Sequence, residues 1–485
     1  MGSRNLPGPA AVPLVGPLGN AIRFSRDVVG HAGALFGEFG PLVALAGGDL
    51  REKPALARWV LVQGADLYRE VATRTDDFHK PPLNKQLSPT GDHLTERQKA
   101  LKRWGAGLFG LNGEAHGEQR RIMMPAFHKS HVETYRSDIV AITEEEFQHW
   151  ELGSVMDIRR RLQQLTLRII TCCLLGQNAG TGAGSLADLN QRALSLLISP
   201  GVFLLPFDVP GFPYRQLLDV VQETDRAAHR VIEQKRRGGM DNDLLSMLLK
   251  AQMNDAAIFS DDDIVEHTVV IFIAGNETTS NALMWTLLLL SQHPRVAADL
   301  LDELEGRLHG AAPTIDQLTE LPFLDAVIQE SLRVLPPVPL NARVVAHDTQ
   351  LRGYELPAGT QLLISLFHTQ RSPEVFARPN AFDPQRWQTS KPGPYEFAPF
   401  GTGLRTCIGA AFAMTELKIM LAMMVQRFRL ELLPGTRVNR SARITLSAKG
   451  GLPLKVNAQD RQFSRGAGGM LGNVRQMLDL SQPVR

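Results

Sequence analysis

One cysteine of this chain lies in a sequence frame that could hold a flat, anionic ligand. The stretch 400–412 reads FGTGLRTCIGAAF, and its thiol belongs to Cys407, one of three cysteines in 485 residues. The small and charged neighbours are Gly401, Gly403, Arg405 and Gly409. Glycines let a backbone come close to a planar ligand because they have no Cβ, and a thiolate just before a helix is stabilised by free backbone N–H groups. Arg405 could reach an anionic group and Phe400 could cover the sulfur, so the frame favours a ligand site over an inert core cysteine.

A second chemical feature is a polar block inside an apolar helix. Residues 260–292 are predicted to form one buried helix, with Ser260 and Asp263 as a capping box and an end before Pro294. Within it, Gly275 is followed by the polar residues Asn276, Glu277, Thr278 and Thr279. Polar groups in a buried helix cost free energy unless they are satisfied. They indicate either a kink with a hydrogen-bond network or a locally widened helix that forms a polar notch, with Thr278 bonded to a freed carbonyl, where a ligand and water lie beside a proton donor.

A third group is predicted to be structural. Glu330 and Arg333 share one face of the helix in LPFLDAVIQESLRVLPP, and Arg386 lies in the irregular stretch AFDPQRW. A buried Glu330 between these two arginines would lock onto the helix the loop that leads to Cys407.

The elements that must position these residues are mostly helices. The pattern is helical from Gly113 to about Pro336, with short strands predicted at 41–47, 57–63 and 342–366 and a hairpin turning at Gly450–Gly451. The sequence therefore predicts a mainly α fold with a minor β part, in one domain over residues 1–458. Residues 459–485 are predicted to be a tail, either flexible or docked on the body or on a partner.

Composition excludes several classes of protein. The net charge of +2, from 52 basic and 50 acidic side chains, gives no reason to expect nucleic-acid binding. Three cysteines, of which Cys172 and Cys173 are adjacent, cannot form a disulfide framework, so a reducing cytoplasm is expected. No apolar run near the N-terminus is long enough for a signal peptide or a membrane anchor, and Glu266 and His267 argue against a membrane span in the long helix.

Together these motifs resemble the cytochrome P450 family of haem–thiolate monooxygenases, in its soluble bacterial type. The segment FGTGLRTCIG matches every fixed position of the family's haem loop, AGNETT (274–279) matches the oxygen-activating helix, and ESLR (330–333) with FDPQRW (382–387) follows the family's order. The resemblance covers roughly residues 6 to 457. It implies the P450 fold, with small sheets and with haem b between the long central helix and the helix after the cysteine loop.

The resemblance also carries roles to individual residues. It implies that Cys407 is the iron ligand and that Glu277 and Thr278 deliver protons. His116, Arg120, Arg343 and Arg405 would bind the haem propionates through charge-assisted bonds. Other haem contacts are implied for Ala274, Gly275, Phe400, Gly401 and Gly409.

The implied reaction is the insertion of one oxygen atom from O2 into a C–H or C=C bond of a hydrophobic small molecule. Electrons from NAD(P)H would arrive through a separate ferredoxin or flavodoxin with its reductase. A peroxygenase using H2O2, a non-redox haem–thiolate isomerase and a non-enzymatic haem gas sensor remain as alternatives. The substrate is expected to touch 83–108, 199–213, Phe272, Ile273 and 337–341, which are apolar and favour a lipid, terpenoid, polyketide or macrocycle.

Overall fold

A computed structural model of the chain describes residues 5–480 except 13–15, 54–57, 86, 88–92, 177–184, 198, 255–258 and 443. The α-helices of this part, in chain order, are α1 (Pro17–Arg26), α2 (Val28–Phe39), α3 (Ala65–Thr73), α4 (Glu96–Arg103), α5 (Gly107–Gly110), α6 (Gly113–Met123), α7 (Lys129–Val132), α8 (Arg136–Phe147), α9 (Ile158–Leu175), α10 (Leu186–Leu197), α11 (Pro200–Leu204), α12 (Pro213–Gly238), α13 (Leu244–Asn254), α14 (Asp261–Gln292), α15 (Pro294–Leu308), α16 (Pro322–Val334), α17 (Leu366–Thr369) and α18 (Ala410–Arg427). The strands are β1 (Leu42–Ala44), β2 (Trp59–Val62), β3 (Phe78–His79), β4 (Val155–Asp157), β5 (Leu340–Val345), β6 (Thr349–Leu351), β7 (Tyr354–Leu356), β8 (Gln361–Ser365), β9 (Phe428–Glu431), β10 (Arg440–Ala442), β11 (Leu446–Ala448) and β12 (Pro453–Ala458). The expectation of a mainly α fold with small sheets is confirmed.

The long helix α14 is the centre of the core, as its apolar sequence predicts. Ser260 Oγ accepts from the Asp263 amide at 3.1 Å, and an Asp263 carboxylate oxygen accepts from the Ser260 amide at 2.8 Å, which completes the predicted capping box. The helix ends at Gln292, two residues before Pro294. It packs against α9, α12, α16 and α18. Within the described ranges, no helix is both long and apolar enough to cross a lipid bilayer.

The largest sheet joins segments that are far apart in sequence. Its strand order is β1-β2-β8-β5-β3, in which β2 and β8 run parallel and the other neighbours run antiparallel. Strand β5 brings Asn341 and Arg343 beside β8 through the pairs Asn341↔Ile364 and Arg343↔Leu362. This sheet therefore places Arg343 on a rigid element rather than on a loop.

The predicted hairpin at Gly450–Gly451 is wrong. The chain does turn there, but β11 pairs with β10, whereas β12 pairs with β4 and β9. Alternating apolar residues fix which segments are strands, and the choice of partner depends on contacts between distant segments.

Residues 459–480 lie against the body of the protein. Met470 and Val474 in this segment have no exposed surface. Of the two possibilities left open for the tail, the described residues have the docked one, mostly in turns with a single 3-10 turn at Arg475–Met477. Residues 481–485 lie outside the described part.

Candidate active site

The cysteine loop is a tight turn that ends where α18 begins. Gly401 and Gly403 have φ angles of 70° and 67°, in the left-handed region that favours glycine. The Cys407 amide donates to the Phe400 carbonyl at 2.7 Å, which closes the turn around the thiol. Cys407 has an exposed surface, whereas Cys172 is half-buried and Cys173 is buried. The loop therefore presents one accessible thiol three residues before a helix.

The pKa of this thiol does not follow the expectation that a cysteine just before a helix is stabilised as a thiolate. Although Cys407 has an exposed surface, desolvation by the protein atoms around it raises the pKa of the thiol. The backbone N–H of Gly409 and the guanidinium of Arg120 act in the opposite direction without outweighing it. A bound metal ion would reverse the balance, because a coordinating thiol is deprotonated outright.

Basic side chains gather near this loop; His116 and Arg343 are buried, and Lys80, Arg120 and Arg405 are half-buried. Arg405 donates to the carbonyls of Leu108 and Leu111 and, at 2.5 Å, to the Asn112 side chain, so it reaches the residues just before α6. On α6, burial lowers the pKa of His116 to about 4, and Arg405 and Arg120 lower it further. Burial also lowers the pKa of Arg405 to about 10, again with nearby arginines contributing. These electrostatic effects show that His116, Arg120, Arg343 and Arg405 lie near one another.

Lys80 is a member of this cluster that the sequence reasoning missed. Its ammonium donates to Asn341 Oδ1 at 2.9 Å, and Arg343 donates to the same oxygen at 2.8 Å. Burial, with Arg343 and Arg405 adding repulsion, lowers the pKa of Lys80 to about 7. The only local signal was a cation next to Pro81–Pro82 after a predicted loop, which is weak because most lysines are exposed.

The cluster has no acidic partner in the described residues. None of the ion pairs found there includes Lys80, Arg120, Arg343 or Arg405, although many other arginines of this part are paired. Buried charges are normally paired or bound to a ligand. The arrangement is therefore suited to a ligand that carries carboxylates next to the Cys407 thiol.

The polar block of α14 is helical throughout, so of the two alternatives the locally widened helix is not found. Thr278 Oγ1 donates to the Ala274 carbonyl at 2.6 Å, within an uninterrupted α-helix. Gly275 has a packing reason, because a Cβ there would lie 2.8 Å from Ile170 on α9. Asn276 accepts from Thr166 of α9 at 2.7 Å. Gly275 and Asn276 therefore serve the packing of α14 against α9.

Glu277 and Thr278 are left to face less crowded space. The Glu277 carboxylate lies 3.8 Å from Arg159 Nη2, and 29% of its side chain is exposed. A cavity of about 230 Å³ adjoins it. Its lining comes from α9, α10, α14 and the β10–β11 hairpin and includes Arg159, Asn190, Leu194, Phe272, Ile273, Asn276, Glu277, Ile444 and Thr445.

This cavity contains polar atoms that could bind water. Asn190 Nδ2 and Arg159 Nε are buried and have no hydrogen-bond partner. Phe272 and Ile273 were predicted to line the substrate space and do line this cavity, whereas α10 and the hairpin were missed. Of the other predicted lining regions, residues 86 and 88–92 lie outside the described part of the chain.

The structure brings most of the predicted site residues together. Cys407, Arg120, His116, Arg405 and Arg343 are linked through their mutual electrostatic effects. Helix α6 is tied to α14 by the 2.7 Å contact between Gln119 Oε1 and His267 Nε2. No direct contact joins Glu277 or Thr278 to the cation cluster among the described residues.

The predicted structural group around Glu330 forms as expected. Glu330 accepts from Arg333 at 2.8 and 2.9 Å and from Arg386 at 2.9 Å. Trp387 Nε1 and the Asp383 amide add bonds of 3.0 Å each to the same carboxylate. Glu330 and Arg333 are completely buried. The segment 382–387, which precedes the cysteine loop, is thus held on α16.

Comparisons with known proteins agree on one family. A family model described as Cytochrome P450 matches residues 6–454. Cyclooctat-9-en-7-ol 5-monooxygenase of Streptomyces melanosporofaciens is 32% identical over 85% of this chain and 89% of its own length. Pentalenene oxygenase of Streptomyces avermitilis is 31% identical over 73% of this chain and 80% of its own. The solved structure of retinoic acid bound cyanobacterial CYP120A1 superposes with a TM-score of 0.78 at 22% identity, covering 94% of this chain and 100% of that one.

Proposed function

The chain belongs to the cytochrome P450 family of monooxygenases, and from this premise we propose that it inserts one oxygen atom into a C–H or C=C bond of a hydrophobic, terpene-like cyclic molecule. Two relatives are named for cyclooctat-9-en-7-ol and pentalenene, which supports such a carbon skeleton. The observation that carries the proposal is the accessible Cys407 thiol beside buried and half-buried cations that lack acidic partners among the described residues.

Haem b fits these residues. The thiol of Cys407 would be a suitable donor to the haem iron, and Gly401 and Gly403 keep side-chain atoms away from its loop. Two propionates would supply the negative charge that the cluster of Lys80, His116, Arg120, Arg343 and Arg405 lacks. The contacts proposed for Ala274, Gly275, Phe400 and Gly409 remain part of this proposal.

Haem held through a cysteine thiolate supplies the chemistry of O2 activation, because the thiolate pushes electron density that favours O–O cleavage. The protein's own part is to orient the ring, exclude water and deliver protons. Arg343 on β5 and Arg405 on the cysteine loop would fix the ring from two separate segments. Phe400 would shield the thiolate from water.

Glu277 and Thr278 are proposed to move protons to the reacting oxygen. Glu277 adjoins a cavity with unpartnered polar atoms, so its carboxylate can exchange protons with water there. Thr278 keeps its hydroxyl oxygen available to accept, because its proton is donated to the Ala274 carbonyl. Arg159 Nη2 lies 3.8 Å from the Glu277 carboxylate and would orient it until it rotates.

Electrons are proposed to come from NAD(P)H through a separate ferredoxin or flavodoxin with its reductase. Arg121, near the end of α6, and Lys129, at the start of α7, are both exposed. Arg120, the neighbour of Arg121, acts electrostatically on Cys407, so this surface lies near the thiol side of the site. An acidic electron donor would be attracted to it.

The test is the ratio of product formed to NADPH consumed, with H2O2 assayed in parallel. Cyclooctat-9-en-7-ol and pentalenene are the first substrates to supply, because they are the compounds named in the relatives. Thr278→Ala and Glu277→Gln should keep NADPH consumption and release H2O2 in place of product. Thr268→Ala is the matched control, since Thr268 makes the same bond to a carbonyl four residues earlier on α14, at 2.7 Å. An unchanged ratio in both site variants would show that the pair has only a structural role.

A further inference from the structure

Residues 459–480 follow the region that matches the P450 family and fold onto the same body. Arg461 pairs with Asp302 at 2.7 Å and with Glu305 at 2.5 Å, which ties the start of the segment to α15. The amide of Gly468 donates to Gln292 at the end of α14 at 3.1 Å. These contacts hold the start of the segment on α15 and on the end of α14. From there the segment continues toward residues 436–440.

The next part of the segment pairs with the residues that lead into β10. The Val438 amide donates to the Leu471 carbonyl at 2.8 Å, and the Leu471 amide donates to the Thr436 carbonyl at 2.9 Å. Gly472 has a φ of 97°, and a Cβ there would lie 2.4 Å from the Val438 carbonyl oxygen. The close approach therefore requires glycine at this position.

Asn473 extends this pairing to the first residue of β10. Its side-chain oxygen accepts from the Arg440 amide at 2.7 Å, and its own amide donates to Asn439 Oδ1 at 3.0 Å. The Arg440 guanidinium in turn donates to the Asn473 carbonyl at 3.2 Å and to Asp27 at 3.0 Å. The entry into β10 is thus held mainly by residues 471–473.

The β10–β11 hairpin borders the cavity beside Glu277. Its Ile444 and Thr445 line that cavity together with Phe272 of α14. The β11 side is held by α14 itself, because Trp285 Nε1 donates to the Leu446 carbonyl at 2.9 Å. The β10 side has no such bond to α14 among the described residues; apart from its pairing with β11, it is held by the segment 471–473 and Asp27.

We propose that residues 469–474 position the β10–β11 hairpin and so determine the size of molecule that the cavity beside Glu277 accepts. The proposal rests on the proposed function and takes this cavity as part of the substrate space, because Phe272 and Ile273 line it. Residues 469–474 act through the hairpin, so they are positioning residues and touch neither substrate nor cofactor.

The first test is hydrogen exchange of the haem-loaded, full-length protein. Asn473→Ala and Gly472→Ala should each speed amide exchange in peptides covering 436–450 by roughly threefold to tenfold, the factor expected for one lost hydrogen bond. Asn473→Asp, which keeps the acceptor oxygen, should restore wild-type exchange. Arg461→Gln is the matched control, because it loosens the same segment at α15 without touching the hairpin. Unchanged exchange in both variants, or an equal effect of Arg461→Gln, would overturn the positioning role.

The second test measures size selection in the cavity. Imidazole and 4-phenylimidazole both shift the haem absorption on binding, but only the second needs room beyond the iron. Asn473→Ala should change the dissociation constant of 4-phenylimidazole severalfold and leave that of imidazole unchanged, and this ratio is insensitive to overall stability. An unchanged ratio would overturn the effect on selection. A wild type that gives no shift with imidazole would count against the proposed function instead, and the exchange experiment would still decide the positioning role.

Discussion

Replacing Glu330 by alanine should destabilise the fold strongly, because this carboxylate accepts hydrogen bonds from a group of buried donors. It accepts from the side chains of Arg333, Arg386 and Trp387 and from the backbone amide of Asp383, at 2.8–3.0 Å. Its removal leaves two guanidinium groups without their counter-ion. Arg333 has no exposed surface, and Arg386 is nearly as buried.

The size of the expected loss of stability follows from the burial of Arg333 and Arg386. Breaking a buried ion pair by removing one partner costs about 3–5 kcal/mol, because the remaining charge stays in a poorly solvated place. Arg333 also donates to the carbonyls of Gln370, Pro379 and Ala381, which keeps it partly solvated by dipoles. Those bonds place the expected loss near the lower limit, about 3 kcal/mol.

The chain offers a control pair with the same closest distance and different burial. Glu144 lies 2.8 Å from Arg427, the same distance as the closest Glu330–Arg333 contact, but both side chains are about half exposed. Exposed pairs contribute about 0–1 kcal/mol. The assay is urea unfolding followed by far-ultraviolet circular dichroism, with haem absorbance recorded on the same samples. Equal losses for Glu330→Ala and Glu144→Ala would refute the argument from burial.

Four further predictions concern the site and its surroundings. Cys407→Ala should abolish the strongly red-shifted absorption band of the reduced carbon monoxide complex, whereas Cys172→Ala and Cys173→Ala should retain it. Lys80→Met should release haem faster to apomyoglobin than wild type because it removes a cation that has no acidic partner in the described residues; Lys102→Met, at an exposed position, should not. Burial raises the pKa of Glu266 from 4.5 to about 7, so between these pH values the folded state keeps a proton that the unfolded chain has lost. The stability of the fold should therefore fall as the pH rises from 4.5 to about 7. Glu266→Gln should remove this decline, measured as the midpoint of urea unfolding. Reversing the charge of both Arg121 and Lys129 should slow reduction by acidic ferredoxins and weaken its salt dependence; no change with several such donors would exclude this docking surface.

Local patterns predicted the features that depend on local physics. The capping box at Ser260, the end of α14 before Pro294 and the trio around Glu330 all form as the sequence indicates. Each follows from residues a few positions apart, or from a charge that could be buried only with a partner. Gly275 shows the limit of such reasoning, because its small size serves a contact with Ile170 that no local pattern of α14 contains.

Features built from distant segments could not be predicted in this way. Lys80 joins Arg343 through Asn341, 261 residues away along the chain. The pairing of β10 with β11 and the docking of residues 469–474 also depend on which segments meet after the helices have packed. A one-sequence pattern shows that a segment is a strand or a turn, but it does not show its partner.

The cation cluster is a local source of electrostatic destabilisation in this fold. Lys80 and Arg405 are both held at sites where burial lowers their pKa, so the folded protein bears an electrostatic cost there without a ligand. Such local conflicts persist where the surrounding structure fixes them and where function requires them. Arg343 lies in the five-stranded sheet, and the Glu330 group anchors the segment that leads into the cysteine loop. The sheet and the Glu330 group therefore hold the cations in place until a ligand with carboxylates neutralises them.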